Sequence, residues 1–256
     1  MYDKLVSRVA IKTVSESPTE GIFEIEGLYT GYGLTVGNAL RRALLSSLPG
    51  GAITLIKIKG VGHEFSTLPD VIEDVVEITL NLKKIRFRMH SRDPQVLSLK
   101  FKGEGAVTGK DIEANSEVEV ITPLAHIATL TSKNAELDIE LTVEKGLGYV
   151  PLEARKMEKL PIGVIALDAI FTPVTKVNFT VENMRVEDRT DFNRLRFVVE
   201  TDGSITPSTA MAKAAHILQD HFKVVAEMPR MEVQPMAVVP KSAEAKKPRA
   251  KKTAKK

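Results

Sequence analysis

Residues 33–51 read Gly33-Leu34-Thr35-Val36-Gly37-Asn38-Ala39-Leu40-Arg41-Arg42-Ala43-Leu44-Leu45-Ser46-Ser47-Leu48-Pro49-Gly50-Gly51, and here the chain changes its hydrophobic period. Val36, Ala39, Leu40, Ala43, Leu44 and Ser47 recur at spacings of three and four and so share one helical face. Thr35 stands where an N-cap belongs and Pro49-Gly50-Gly51 where a helix stops, which predicts a helix over 35–48. Upstream, 4–14 and 21–28 alternate apolar and polar residues as half-buried strands do. Downstream, 52–59 reads as a strand and 69–84 as a second helix, with Val71, Ile72, Val75, Val76, Thr79 and Leu82 on its buried side. Asp70, Glu73 and Asp74 at its start and Lys83 and Lys84 at its end complement the helix dipole. From 85 to 144 the short runs IRFRMH, QVLSLKFK, EVEVI and ELDIELTVE are separated by Gly, Asn, Asp and Ser, the pattern of antiparallel strands with one wet face. Residues 145–151 and the polar stretch after them are expected to form a long loop, and 164–171, 174–181 and 195–200 return to strand pattern.

The last ordered element is expected over 207–226, with Thr206 as N-cap and Pro207 at the first helical position. Met211, Ala214, Ala215, Leu218, Phe222 and Val225 follow a heptad-like seam, and Pro229 stops it. Such a seam packs either on its own domain or on a second copy of the chain.

Composition narrows the function. The 256 residues hold 36 Lys+Arg, 33 Asp+Glu, five His and no Cys, with 43% hydrophobic residues. Without cysteine there is no disulfide, no thiolate metal site and no cysteine nucleophile. The most apolar stretch, 162–171, is short and interrupted by Asp168, so no membrane span is expected and the chain reads as cytoplasmic. The net charge of +3 averages two unlike regions. Residues 241–256 carry eight Lys/Arg and one Glu, a surplus of seven positive charges, which leaves the preceding 240 residues at −4. A tail of Lys, Ala, Pro and Ser lacks the apolar side chains to offset the entropy of ordering, so 229–256 is expected to be disordered, either as a solubilising terminus or as a weak, salt-dependent polyanion binder.

Catalytic patterns are absent. Gly103-Glu104-Gly105-Ala106-Val107-Thr108-Gly109-Lys110-Asp111 fails as a phosphate loop, because a Walker loop needs Gly at 104 and a hydroxyl at 111. His216 and His221 point about 140° apart on a helix and cannot share a metal. There is no Gly-x-Ser-x-Gly elbow, and the carboxylates of 185–191 alternate with arginines, which suggests ion pairing before acid–base chemistry. No catalytic, cofactor-binding or metal-ligating residue is expected. Arg41-Arg42 stand out: two adjacent arginines point 100° apart, so at least one lies at the edge of the apolar face. That placement suits bidentate contact across an interface as well as plain solvation.

The 33–50 segment resembles the first-helix signature of the bacterial RNA polymerase alpha subunit family. In the same order along the chain, His63-Glu64-Phe65-Ser66, Glu73-Asp74-Val75 through Asn81-Leu82-Lys83, Lys145-Gly146-Leu147-Gly148-Tyr149-Val150-Pro151, Val181-Glu182 and Arg185-Val186-Glu187-Asp188-Arg189-Thr190-Asp191 are also similar to that family. The resemblance spans about residues 1–228. It implies a two-part α+β fold: a discontinuous helix/sheet dimerisation domain (1–48 and 176–228) interrupted by a mainly antiparallel β insert domain (49–175). It further implies a homodimer built on Val36, Leu40, Leu44, Met211, Ala215, Leu218, Phe222 and Val225, which carries the catalytic beta and beta prime subunits and no active site of its own. Matched by motif, Arg42, Leu45, Lys83, Val174, Arg185, Glu187, Arg189 and Asp191 are the implied large-subunit contacts. DNA would be met through the assembled, nucleoid-associated polymerase, whose activity is nucleotidyl transfer. Members of the family continue into a small helical carboxy-terminal domain, whereas the 28 residues after Met228 are too few for one, so the Lys-rich tail is the expected substitute for nonspecific DNA attraction. The competing reading is an independent nucleic-acid-binding protein acting through that tail.

Overall fold

The computed structural model describes residues 9–154 and 161–228. In chain order they form β1 (Ala10–Glu16), β2 (Glu20–Leu28), α1 (Tyr32–Ser46), β3 (Pro49–Ile58), α2 (Val75–Leu82), β4 (Phe87–Met89), β5 (Gln95–Lys102), β6 (Gly105–Thr108), β7 (Ile112–Glu113), β8 (Val118–Val120), β9 (His126–Leu130), β10 (Glu136–Leu147), β11 (Tyr149–Val150), β12 (Val164–Ala166), β13 (Ala169–Ile170), β14 (Val174–Val186), β15 (Arg189–Thr201) and α3 (Pro207–Ala226). The predicted tail over 229–256 and the first residues of the predicted opening strand lie outside the described residues.

Two main sheets and two two-stranded ones, β11-β13 and β6-β9, organise these elements, and every strand pairing among the described residues is antiparallel. The first runs β1-β2-β15-β14 and joins the two ends of the described chain; the second runs β7-β5-β10-β3-β4-β8, with β12 added beside β3. The fold is therefore α+β and mainly antiparallel. Each sheet has its own apolar core. Phe23, Leu40, Leu44, Val177, Leu195 and Phe197, with Ala210 and Ala214 of α3, pack over the first sheet. Ile56, Ile78, Leu82, Phe87, Leu99 and Ile139 fill the second. The first core draws on residues 23–48 and 174–214 and the second on 53–167, so one core is inserted in sequence within the other. Burying a side chain of the Leu or Phe class contributes about 1.5–3 kcal/mol, and alternation supplies such residues at Phe23 and Ile25 of β2, at Leu137, Ile139 and Leu141 of β10, and at Leu195, Phe197 and Val199 of β15.

Helix α1 lies on the first sheet because its inner face is stripped down to glycine where it meets β14. A Cβ at Gly37 would sit 2.7–3.0 Å from the Phe179 ring, and one at Gly33 would sit 2.7 Å from Val181. These two glycines, four residues apart, share the face that touches the strand.

Several expectations are corrected. The first helix starts three residues earlier than predicted and ends at Ser46. Thr35 is not its cap: Gly31, in a left-handed conformation at φ 86°, holds that place, and the side chain satisfying the helix start comes from β15. Pro49-Gly50-Gly51 does not merely stop the helix but opens β3. The second helix is only Val75–Leu82, with Asp74 accepting from the Glu77 N–H at 2.7 Å. Upstream of it the chain turns at Asp70 (φ 60°) and is pinned to β9 by Ile72 N–H to Thr129 O, so Ile72 is exposed rather than buried. Once β9 satisfies that backbone, nothing is gained by extending the helix. Residues 145–147 and 149–150 are strand, not loop: β10 continues to Leu147, paired with Pro49 of β3, and β11 pairs with β13, while the part of the expected loop over 155–160 lies outside the described residues. Helix α3 has the predicted bounds, with Thr206 accepting from the Thr209 N–H and Pro207 at its start.

Candidate functional site

The implied contact residues are best followed from α1 outward. Asn193, nearly buried on β15, places its Oδ1 where it accepts from the Gly31 N–H at 2.9 Å and, at a longer 3.4 Å, from the Gly33 N–H, while its Nδ2 donates to Asn183 Oδ1 at 3.3 Å. The start of α1 is thus fixed by a residue about 160 positions away. The free N–H groups of a helix start need such acceptors. With the start held by Asn193 and the inner face by the two glycines, Arg41 and Arg42 are exposed and Leu45 is half-buried beside them. Ser46 donates its hydroxyl to Arg42 O at 2.7 Å, the local back-bonding expected of a serine inside a helix.

Near the start of α1, β14 and β15 join through a two-residue turn, Glu187-Asp188, with Glu187 at φ 55°. The predicted 185–191 loop is therefore the tip of a long hairpin. Arg189 and Asp191, two apart on the same face of β15, form a bidentate pair at 3.0 Å (Nε–Oδ1) and 2.6 Å (Nη2–Oδ2). The guanidinium also lies 5.0 Å over the Tyr29 ring and 5.3 Å over that of Phe192, whose rings meet edge to face at 5.9 Å. Thr30 donates its hydroxyl to Asp191 Oδ2 at 2.7 Å. The Arg189 guanidinium first, and then the Thr30 hydroxyl, hold the Asp191 carboxyl far below the usual carboxylate range, and Asp191 and Tyr29 push Arg189 upward in turn. Arg185 donates to Glu187 O at 2.8 Å. The tip is a charged, preorganised knob.

At the other end of α1 a second surface forms. Ser46 O lies near Gly148, the Gly148 carbonyl accepts from the Phe171 N–H at 2.8 Å, and Arg86 donates to Ile170 O at 3.2 Å. Lys83 pairs with Asp168 at 3.1 Å, and Asp168 also accepts from the Leu152 N–H at 3.3 Å. The ammonium keeps the Asp168 carboxyl below its ordinary value despite partial burial. Arg42, Leu45 and Lys83 therefore belong to one end of the molecule. The hairpin tip belongs to the other, since Arg42 is ten residues, about 15 Å, along the helix from Tyr32.

Three of the residues singled out by sequence do not reach the surface. Val174 is 1% exposed, Leu44 0% and Leu40 7%, all within the first core, so their side chains offer nothing to another molecule. A heptad pattern cannot distinguish a side chain that packs on its own sheet from one left for a partner. On α3, by contrast, Ala214 is buried, Met211 and Leu218 are half-buried, and Ala215 is exposed, as are Phe222 (63%) and Val225 (58%). The second half of this helix projects past the sheet with its seam uncovered.

Among curated proteins, the DNA-directed RNA polymerase subunit alpha of Alkaliphilus oremlandii is 50% identical over 217 residues, covering 85% of this chain and 68% of that protein. The subunit of Symbiobacterium thermophilum is 49% identical over 217 residues (85% and 69%), and that of a Roseiflexus species 47% over 234 residues (91% and 71%). The chain belongs to the bacterial RNA polymerase alpha subunit family. Residues 56–172 of this alpha-family chain match the family described as the RNA polymerase Rpb3/RpoA insert domain, a range that closely follows the second core.

Sequence reasoning missed Asn193 and Arg88. Arg88 of β4 donates to Ser204 O at 2.9 Å and Gly203 O at 3.0 Å and pairs with Glu119 at 2.7 Å, so it ties the second sheet to the turn before α3. Both residues bond backbone groups more than 100 positions away. Among the described residues, no group of three or more His, Asp or Glu side chains could hold a metal ion, and no helix is long and apolar enough to cross a membrane.

Proposed function

We propose that this chain forms a homodimer that acts, without a catalytic group of its own, as the platform on which the large beta and beta prime subunits of a cytoplasmic DNA-directed RNA polymerase assemble. The observation that carries this reading is the uncovered end of α3, where Phe222, Val224 and Val225, and Met228 just past the helix, are each more than half exposed although the first half of the helix is docked. An apolar seam of this kind is what a self-complementary two-fold contact needs. Met211, Ala215, Leu218, Phe222 and Val225, with half-buried Val36 at the edge of α1, are the interface; Leu40 and Leu44 support it from beneath. The first core, with 1–48 and 176–228, is the dimerisation domain, and 49–175 is the insert domain. Arg42, Leu45 and Lys83 form one large-subunit contact, and the Arg185, Glu187, Arg189 and Asp191 tip forms the other. The reaction served is nucleotidyl transfer.

Light scattering tests it. The parent is expected at about 56 kDa, twice the 28.1 kDa of the chain. Phe222→Asp places a charge in the seam, where burial in an apolar contact is costly. Because Phe222 is exposed within the single chain, this variant is expected to fold and to run at the monomer mass. A folded parent at monomer mass at micromolar concentration refutes the dimeric platform. Capture of the beta and beta prime subunits by the parent, lost in Arg42→Ala with Lys83→Ala, tests the second step.

A further inference from the structure

Between the two cores lies a cleft of about 250 Å³ that the assembly reading does not use. Its walls come from four separate elements: Pro49, Gly50 and Gly51 of β3, the 87–90 segment that includes β4, Lys145 of β10, and Ser204, Ile205 and Lys213 around the start of α3. Four of its side chains are Arg88, His90, Lys145 and Lys213, and no carboxylate lines it. Arg88 is committed to Glu119 and to the carbonyls of Ser204 and Gly203. The side chains of His90, Lys145 and Lys213 make no hydrogen bond or ion pair with the other described residues. The neighbouring acids are not among the lining residues: Asp202 accepts from the Ser204 N–H at 2.9 Å, Glu119 is paired with Arg88, Glu117 meets His90 through its backbone carbonyl, and Glu144 precedes Lys145 on a strand, where neighbours point to opposite faces.

The ammonium groups of Lys145 and Lys213, brought to one cleft from distant parts of the chain, repel one another, and a shared anion relieves that repulsion. A monoanion matches only one of them, whereas adjacent phosphates a few ångströms apart match both, with the His90 ring as a further hydrogen-bonding group. A concave cleft also excludes a duplex, whose phosphates lie along an extended ridge. We propose that this cleft is a binding site for a compact polyphosphate, held by Lys145, Lys213 and His90, with Arg88 keeping the two walls in register. The dimer seam does not cover it: Lys213 and Phe222 are nine residues apart, about 180° around α3, on opposite faces. Because β10 and α3 belong to different cores, a bound polyphosphate clamps the cores together and raises the melting temperature.

The full chain is titrated with inorganic pyrophosphate at fixed ionic strength by calorimetry, beside orthophosphate, inorganic triphosphate and ATP. The variants are Lys145→Gln with Lys213→Gln, and a tail control in which Lys246, Lys247, Lys251 and Lys252 are changed to Gln. One pyrophosphate per chain is expected, bound at least tenfold more weakly by the Lys145/Lys213 variant and equally well by the tail control. The His90 ring resonances are expected to shift during the titration. At one hundred times Kd the melting temperature is expected to rise by about 5–10 °C. Equal affinity for ATP and inorganic triphosphate assigns the site to the phosphate chain alone, and tighter ATP binding assigns it to nucleotides. The proposal is overturned if pyrophosphate binds no more tightly than orthophosphate, if binding is lost in the tail control but kept in the Lys145/Lys213 variant, or if the two variants bind alike.

Discussion

Changing Asn193 to Ala should loosen α1 without touching any residue of the outer surface. The substitution removes the oxygen that accepts from Gly31 N–H at 2.9 Å and Gly33 N–H at 3.4 Å. Losing a helix cap costs about 0.5–2 kcal/mol. Leaving a buried N–H unpaired costs about 1–3 kcal/mol. Gly31 is exposed and can turn to water, and the Gly33 bond is long, so the two costs overlap rather than add, and about 2 kcal/mol is expected. For a chain of this size that is a fall in melting temperature of about 4–8 °C, read by circular dichroism at one fixed protein concentration because a dimer melts in a concentration-dependent way. Asn193→Asp is the control. It keeps the acceptor, gains from the helix dipole, and loses only the donation to exposed Asn183, so it should recover most of the stability. If Asn193→Ala costs less than about 0.5 kcal/mol, or if Asp is as damaging as Ala, the cap is not what positions α1.

Two further outcomes follow from side chains described above. Gly37→Ala should destabilise the protein despite alanine's better helix propensity: a gain of about 1 kcal/mol is opposed by a Cβ 2.7–3.0 Å from the Phe179 ring, an overpacking of about 1–3 kcal/mol, and Phe179→Leu in the same chain should relieve it in urea melts. Burial acts to raise the Glu73 carboxyl, yet hydrogen bonds from His126 Nε2 (2.8 Å), Thr129 N–H (2.6 Å) and Thr129 Oγ1 (3.0 Å) outweigh it and hold it below its ordinary value. A carboxyl lowered in the folded state contributes stability that is present above its unfolded value, about 4.3, and is lost as pH falls through the folded value. Stability measured between pH 6 and 3 should therefore fall less steeply in Glu73→Gln than in the parent; parallel curves would show that the network carries no net charge preference.

Elements whose signals are local were legible from sequence. Helix α3 has its predicted bounds because Thr206, Pro207 and the threefold and fourfold apolar spacing all lie within the element itself. The run QVLSLKFK is strand β5 because period-two alternation is a property of eight consecutive residues. The first helix was visible from its apolar face, and the Arg189–Asp191 ion pair from the alternation of charges in 185–191. The basic lining of the cleft was not visible, because Arg88, Lys145 and Lys213 are brought together only by folding.

What failed was decided across the chain. Helix α1 begins at Tyr32 because Asn193 and a left-handed Gly31 supply its cap, and local sequence alone pointed to Thr35. Helix α2 is short because β9 takes the backbone of residues 70–72. Leu40, Leu44 and Phe222 look alike as members of apolar seams, yet the first two are sealed under the first sheet while Phe222 stands clear of it. The sequence by itself determined the periods, the caps within elements and, through several motifs in fixed order, the family. Only tertiary structure decided which apolar faces are spent on the chain's own cores and which are left for a partner, because burial is a property of how elements meet, and periodicity records a face without recording what lies against it.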